Sequence, residues 1–307
     1  MHKGNSMVTR RRVLTILAGV AALPVVGAKA AATAQNWRGL ALGADARIIL
    51  DHPDAQQLIG EAVTQIRRLE SIFSLYQDDS QLSVLNREGV LYEPALEMVE
   101  LLSISAALNE RTSGAFDPSV QALWALYANS YTKGSAPSPD QIESALALTG
   151  WHHVNFSPEK VILEAKGVML TLNGIAQGFI ADKIADYFRA SGVQNVLVNT
   201  GEIAALGFAP DGGPWQIGFN DAKRAKIPLS NGAMATSAPL GTVFDRGAKA
   251  GHILDPRTGY PGGKWSEITV ISSSAAQADG LSTGFSLMSR PRIERAKGSA
   301  QVILSSA

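Results

Sequence analysis

The chain has 307 residues, 46% of them hydrophobic and 18% charged, and it contains no cysteine. That balance fits a globular chain with a sizeable core rather than a disordered one, and the lack of cysteine removes disulfides, thiolate metal sites, catalytic thiols and lipidated cysteines. The formal charge is zero, but Lys3, Arg10, Arg11, Arg12 and Lys29 sit at the N-terminus, so the remainder is about five units acidic and offers no basic stripe for nucleic acid.

The first element reads as an address. Thr9-Arg10-Arg11-Arg12-Val13-Leu14-Thr15 precedes an apolar run to Val26, followed by Ala28-Lys29-Ala30 and Ala32-Thr33-Ala34. Basic, then apolar, then A-x-A is the order of a secretory signal, and the paired arginines resemble a twin-arginine type. The run is too short to span a bilayer stably. We expect a signal over 1–34, a mature domain over 35–307 and a periplasmic destination. Met7 offers a second start, and a short anchor or a buried helix is the alternative.

Apolar residues at three- and four-residue steps predict helices over 56–73 (Leu58, Ala62, Ile66, Leu69, Ile72) and 94–108 (Leu96, Val99, Leu102, Ala106). They flank a polar connection over 76–80 that reads as a turn. A Pro- and Ser-containing loop over 135–139 is expected to separate two structural parts, and a helix over 140–147 follows it. Beyond lie β-prone runs over 160–163, 168–172, 196–198, 215–219 and 267–272, with helices over 178–190 and 275–288 among them. Gly207-Phe208-Ala209-Pro210-Asp211-Gly212-Gly213 reads as a hairpin-type loop, since no phosphate-loop Lys follows. The chain is therefore α+β or mixed α/β, without an internal repeat.

Four places could carry chemistry. Asp279 and Thr283, four apart on a helix, put two oxygens on one face, the kind of donor a hard cation such as Mg²⁺ takes. Capping or dipole complementation explains an Asp near a helix start equally well, and Ser274 with Gln277 supplies a capping pattern. Leu172-Asn173-Gly174-Ile175-Ala176-Gln177-Gly178 leads a β-prone run into a helix, where free N–H groups would favour a pyrophosphate, although a tight turn suffices to explain it. His252-Ile253-Leu254-Asp255-Pro256-Arg257-Thr258-Gly259 ends in an Asp-Pro turn. There His252 or Asp255 could accept a proton, or the histidine could simply lie on the surface. Ser113-Gly114-Ala115-Phe116-Asp117-Pro118 terminates a helix, and Phe116 there and Tyr76 upstream could contact an aromatic ligand.

Taken in order, Phe73-Ser74-Leu75-Tyr76 with Ser80-x-Leu82-Ser83-x-Leu85-Asn86, Gly114-Ala115-Phe116-Asp117-Pro118, Gly174-Ile175-Ala176-Gln177-Gly178, Ala235-Thr236-Ser237, His252 to Gly259, and Ala278-Asp279-Gly280-Leu281-Ser282-Thr283 resemble the ApbE-type FAD:protein FMN transferases from about Gly39 to Met288. The resemblance implies a two-lobed α+β architecture with a mixed or antiparallel β-sheet core and flanking helices. It implies Mg²⁺ held by Gly174, Asp279 and Thr283, and FAD as substrate contacted by Leu42, Tyr76, Ala115, Phe116, Asp117, Thr171, Gln177 and Leu254. It further implies transfer of FMN to a threonine of a partner flavoprotein with release of AMP, with His252 and Asp255 as candidate bases. This chain departs from the family pattern at Leu42-Gly43-Ala44, usually Met-Gly-Thr, at Thr171, often Asp, at Asn173, often Gly, and at Gln177, where Lys is common. Loss of that lysine shifts neutralisation of the pyrophosphate onto the cation.

Within the family, the exported form and the Asn-Gly-Ile-Ala-Gln-Gly turn resemble the accessory flavin transferase of nitrous oxide reductase systems (NosX-like). That likeness implies a membrane-bound respiratory or NosR-like acceptor. Two other functions share the features: Mg²⁺-dependent hydrolysis of FAD to FMN and AMP, and periplasmic flavin binding without turnover.

Overall fold

A computed structural model of the chain describes residues 34–219, 225–247 and 249–306. The expected signal over 1–34 lies outside the described residues, apart from Ala34.

Twelve strands and eight α-helices follow one another among the described residues. Seven strands form the main sheet, in the spatial order β1 (Gln35–Ala41), β2 (Ala44–Leu50), β6 (Val196–Asn199), β7 (Ile203–Leu206), β10 (Gly232–Ser237), β11 (Glu267–Ser272) and β12 (Gln301–Ser305). Every neighbouring pair in it is antiparallel. A three-stranded antiparallel sheet has β5 (Lys160–Leu163) between β3 (Val90–Tyr92) and β4 (Val154–Phe156), and β8 (Trp215–Ile217) pairs with β9 (Ile227–Leu229).

The period of two along each strand sorts its side chains between two apolar layers. Ile48 and Leu50, Val196 and Val198, and Ala233 and Ala235 face the main core, whereas Ile49, Leu197 and Met234 face a second cluster. That second face is closed by Trp215, Ile217 and Leu229 of the β8–β9 pair, and Trp215 Nε1 donates to the Leu206 carbonyl at 3.0 Å. Because both faces are covered, the central strands are continuous apolar runs.

The main core lies between the sheet and the helices α1 (Ala55–Phe73), α3 (Leu96–Arg111), α6 (Ala176–Ala190) and α7 (Ala275–Ser286), and it continues into the small sheet through Leu91, Val161 and Leu163. Helix α1 buries Ile59, Ala62, Ile66, Leu69 and Ile72, the stripe its sequence spacing predicts. Helix α7 is buried on nearly all sides, between α6, α3 and the strands β10 and β11.

Several expectations change. Helix α2 (Gln81–Glu88) occupies the space after the 76–80 turn, started by Ser80, whose hydroxyl accepts from the Ser83 N–H at 3.0 Å and donates to the Ser74 carbonyl. Helices α4 (Gln121–Thr132) and α5 (Pro139–Leu146) flank the 135–139 loop and pack together with Leu254 around Leu123, Tyr127 and Ile142, so that loop joins a helical pair rather than two parts. Residues 168–172 are not a strand. Asn86 brackets Leu170, donating to its carbonyl at 2.8 Å and accepting from its N–H at 2.7 Å, while the Thr171 N–H donates to Pro118 O. The 207–213 loop leaves the main sheet: β7 pairs with β6 and β10, and β8 only with β9, so no hairpin forms there. Helix α8 (Arg290–Ala296) leads into β12. No described helix is long and apolar enough to cross a membrane.

Candidate functional site

A cleft of about 1300 Å³, its open mouth included, collects residues from widely separated segments. Eleven of the thirteen residues singled out in the sequence line it: Leu42, Ala115, Phe116, Asp117, Thr171, Gly174, Gln177, His252, Leu254, Asp279 and Thr283. Tyr76 and Asp255 do not. The Tyr76 phenol is hydrogen-bonded to the side chain of Asn173, which itself lines the cleft, and burial raises the phenol above its usual range.

One wall is built from constrained turns. Ala41 pairs with Ala44, so Leu42 and Gly43 form a two-residue hairpin turn with φ of 46° and 81°, the primed geometry that right-twisted strands favour. Leucine tolerates that conformation poorly, and here the Glu70 carboxylate accepts from the Leu42 N–H at 2.7 Å. Ser113 and Gly114, both at positive φ, turn the chain out of α3 into Ala115 and Phe116. Asp117 then accepts from the Ser119 N–H (2.9 Å) and hydroxyl (2.6 Å) and starts a 3-10 turn. Burial raises the Asp117 carboxyl, and these donors offset part of that rise.

The polar end lies where the starts of α6 and α7 meet. Asp279 is 4% exposed, and its Oδ2 accepts from the Gly178 N–H at 3.1 Å. Desolvation pushes its pKa up to about 7, with the Gly178 amide opposing and Asp182 adding to the rise. Glu202, which follows the β6 strand and accepts from the Thr236 N–H at 3.3 Å, is raised by burial and by the charge of Asp279. Among the described residues neither Lys nor Arg lines the cleft. Thr283 Oγ1 lies 3.1 Å from where a β-carbon on Gly174 would stand, so a side chain there would press on the Thr283 hydroxyl. Among the described residues no three His, Asp or Glu side chains group as a metal cluster. The available donor set is one buried carboxylate with neutral oxygens, the Gly174 carbonyl and the Thr283 hydroxyl. It is all hard oxygen and, among the described residues, has no Lys or Arg beside it, which fits Mg²⁺ with waters or phosphate completing its shell.

Capping, the ordinary explanation for an Asp near a helix start, falls to another residue. The start of α7 is capped by Asp182 of α6, which accepts from the Ser274 hydroxyl and from the N–H groups of Ala275 and Ala276. Ser274 also accepts from the Gln277 N–H. Gly178 has a packing role: a β-carbon there would come within 2.3 Å of Ala275 O on α7.

His252 lies half-buried with Nδ1 3.1 Å from the Thr242 carbonyl. Burial lowers its pKa, outweighing the Thr242 and Pro239 carbonyls that favour the charged ring. Asp255 points instead into Arg257, which donates two hydrogen bonds at 2.8 and 2.7 Å. Burial alone would raise that carboxyl, but the Arg257 contacts and charge hold it below its usual range.

Residues the sequence reading left out also line the cleft. Trp124 comes from α4, and its ring meets Phe244 edge-on at 5.4 Å. Ser237 Oγ bridges Ser282 Oγ at 2.7 Å and Thr283 Oγ1 at 3.4 Å, and Glu202 faces Asp279. Within the sequence, only the Asn199-Thr200-Gly201-Glu202 turn after a buried strand hinted at the last of these.

The family model described as the ApbE family matches residues 42–303. Over 253 residues the chain is 29% identical to an FAD:protein FMN transferase of Vibrio cholerae, covering 78% of this chain and 75% of that protein. It is 31% identical over 238 residues to that of Haemophilus influenzae, covering 71% and 69%. Among solved structures it resembles the apo flavinyl transferase ApbE of Pseudomonas stutzeri (TM-score 0.79, 27% identity, 89% of this chain and 91% of that one) and the ApbE protein of Thermotoga maritima (TM-score 0.79, 28% identity, 88% and 94%).

Proposed function

The chain belongs to the ApbE family, and from that premise we propose that it transfers FMN from FAD to a threonine hydroxyl of a partner flavoprotein, with Mg²⁺ as cofactor and AMP as the second product. The observation that carries this reading is the convergence of Gly174, Asp279 and Thr283 at one end of the cleft that also holds Ala115, Phe116, Asp117, Thr171, Gln177 and Leu254. A dinucleotide brings a diphosphate to a cleft lined, among the described residues, by Asp117, Glu202 and Asp279 and by no Lys or Arg. Like charges would repel it.

Gly174, through its carbonyl, Asp279 and Thr283 would hold Mg²⁺, which would supply charge neutralisation on the pyrophosphate oxygens. The protein supplies position. Phe116, Leu254 and Trp124 offer apolar surface to the flavin and adenine rings, and Thr171 and Gln177 offer neutral hydrogen-bonding groups beside the diphosphate. In the transfer, the threonine oxygen bonds to the phosphorus of the FMN half and the pyrophosphate P–O bond breaks. AMP leaves with that electron pair, and the hydroxyl proton goes to a base. Of the two candidates His252 is favoured, because it faces the cleft and burial keeps it neutral. With Nδ1–H on the Thr242 carbonyl, its other nitrogen can accept a proton. Asp255 is committed to Arg257 and holds the turn that carries Leu254 and Pro256.

Mass mapping of an acceptor domain after incubation with FAD and Mg²⁺ tests the chemistry. An FMN increment on one threonine, lost in its Thr→Ala variant and without added metal, is expected. Equal FMN and AMP in solution with no labelled acceptor would replace transfer with hydrolysis, and FAD bound without turnover would replace it with a carrier.

The leader supports export by a twin-arginine route and a periplasmic site of action. N-terminal mass spectrometry of the fractionated protein should find cleavage near Ala34, and an intact N-terminus in the membrane would contradict export. A NosR-like membrane flavoprotein is the acceptor we propose, and gene neighbourhood tests it.

A further inference from the structure

Asp182 is a carboxylate that the transfer chemistry does not use, yet it is hydrogen-bonded as fully as any in the molecule. It lies on α6 one turn after Gly178. Its Oδ1 accepts from the Ala275 N–H at 2.7 Å, and its Oδ2 accepts from the Ala276 N–H at 3.0 Å and the Ser274 hydroxyl at 2.7 Å. One turn along α7 from those residues, Asp279 returns the arrangement by accepting from the Gly178 N–H at 3.1 Å. Each helix thus caps the first turn of the other. The first N–H groups of a helix have no partner within it, and here Gly178 of α6 and Ala275 and Ala276 of α7 find theirs across one interface. The contact leaves no slack, because Ala275 O already fills the space of a β-carbon on Gly178.

We infer that Asp182 is a positioning residue for the cation site, fixing the register of α7 against α6 and so the place of Asp279 and Thr283 relative to Gly174. The inference rests on the metal reading above. Gly174 enters α6 two residues before its first turn, whereas Asp279 and Thr283 ride on α7, so the three donors form one site only while the two helix starts keep their register. No other hydrogen bond between α6 and the first turn of α7 matches the three that Asp182 accepts. Groups that orient ligands from outside the coordination sphere set metal affinity by about 10- to 100-fold.

Calorimetric titration of Mn²⁺ and Mg²⁺ into the purified wild type, Asp279→Ala, Asp182→Asn and Ser274→Ala tests this without reference to turnover. The expectation is cation binding by the wild type and none by Asp279→Ala. Asp182→Asn should bind about 10- to 100-fold more weakly, and Ser274→Ala, lacking one of the three donors, should fall between. Transfer kinetics should show the metal concentration for half-maximal rate rising in step, with kcat at saturating metal within a few-fold of wild type. Wild-type affinity in a folded Asp182→Asn, with only its melting temperature lowered, would make the residue a structural cap and overturn the inference while leaving the metal reading in place. No cation binding by the wild type would remove the metal reading itself. Should Asp182→Asn fail to fold, Ser274→Ala decides, and unchanged affinity there overturns the inference.

Discussion

Gly178→Ala loads the α6–α7 junction with a single methyl group. The new carbon would stand 2.3 Å from Ala275 O, 2.5 Å from Ala275 C and 2.9 Å from Ala276 N. These are all backbone atoms, so no side chain can swing away and α7 must retreat by about 1 Å to restore van der Waals contact. Helix propensity acts in the other direction, favouring alanine by about 0.8–1 kcal/mol, while overpacking of a close contact costs about 1–3 kcal/mol. The clash offsets or exceeds that gain, leaving a net loss of up to about 2 kcal/mol and a melting temperature lower by about 2–4 °C per kcal/mol of that loss. The functional cost is larger. A displacement near 1 Å moves Asp279 and Thr283 off Gly174, and a misplacement of that size costs on the order of 100-fold in rate. Thermal unfolding together with steady-state flavin transfer reads both effects. A variant that melts higher than wild type and transfers flavin at the wild-type rate would refute the packing argument and the dependence of the site on it.

Three further predictions follow from the cleft. Since burial holds His252 below the ordinary histidine value of about 6.5, the ring is neutral at pH 7. The log of kcat/KM should be flat above that value and fall with unit slope only below the depressed pKa. His252→Gln should slow transfer and abolish that acid limb, and an unchanged limb would exclude His252 as base. Asp255→Asn should cost about 1–3 kcal/mol in urea unfolding at pH 7, with transfer within a few-fold of wild type. Because the folded carboxyl titrates below its unfolded value of about 3.9, its stabilisation is present above that value. The gap between variant and wild type should close as pH falls below about 4, and a gap that persists at pH 2 would point to packing instead. Trp124→Ala should weaken FAD binding by about 3- to 10-fold, from the loss of an aromatic contact of roughly 0.5–1.5 kcal/mol, read by flavin fluorescence titration. Unchanged affinity would move the rings elsewhere in the cleft.

Local patterns made helices α1, α3, α5, α6 and α7 legible. Ile59, Ala62, Ile66 and Leu69 recur at helical spacing, and they are the buried face of α1. What failed depended on partners distant in sequence. Val168, Leu170 and Leu172 alternate as a strand would, but Asn86, 84 residues upstream, takes both backbone groups of Leu170, so no strand pairs there. The inner strands β2, β7 and β10 carry little alternation because the sheet is covered on both faces there, while β1 and β12 are half-exposed edge strands. Cleft residues such as Phe116, Gly174 and Asp279 were readable through ordered motifs. Trp124 in the cleft and Asp182 behind it were not, since each stands in an unremarkable helix and acquires its place from tertiary contacts. The Ser274 capping pattern holds, and Asp182 adds to that cap because α6 runs alongside α7, so Asp279 is not needed as the cap.

The central claim is that Asp279 and a divalent cation together enable flavin transfer to protein. Its most direct test mixes the purified enzyme with FAD, Mg²⁺ and a threonine-bearing acceptor domain, alongside Asp279→Ala and a chelated control, and follows flavin fluorescence that survives denaturing electrophoresis. Covalent label on the acceptor with one AMP released per flavin is expected for the wild type with Mg²⁺, and no label is expected either without metal or in Asp279→Ala, which lacks the carboxylate that would hold it. Labelling that proceeds equally in chelator and in Asp279→Ala would contradict it.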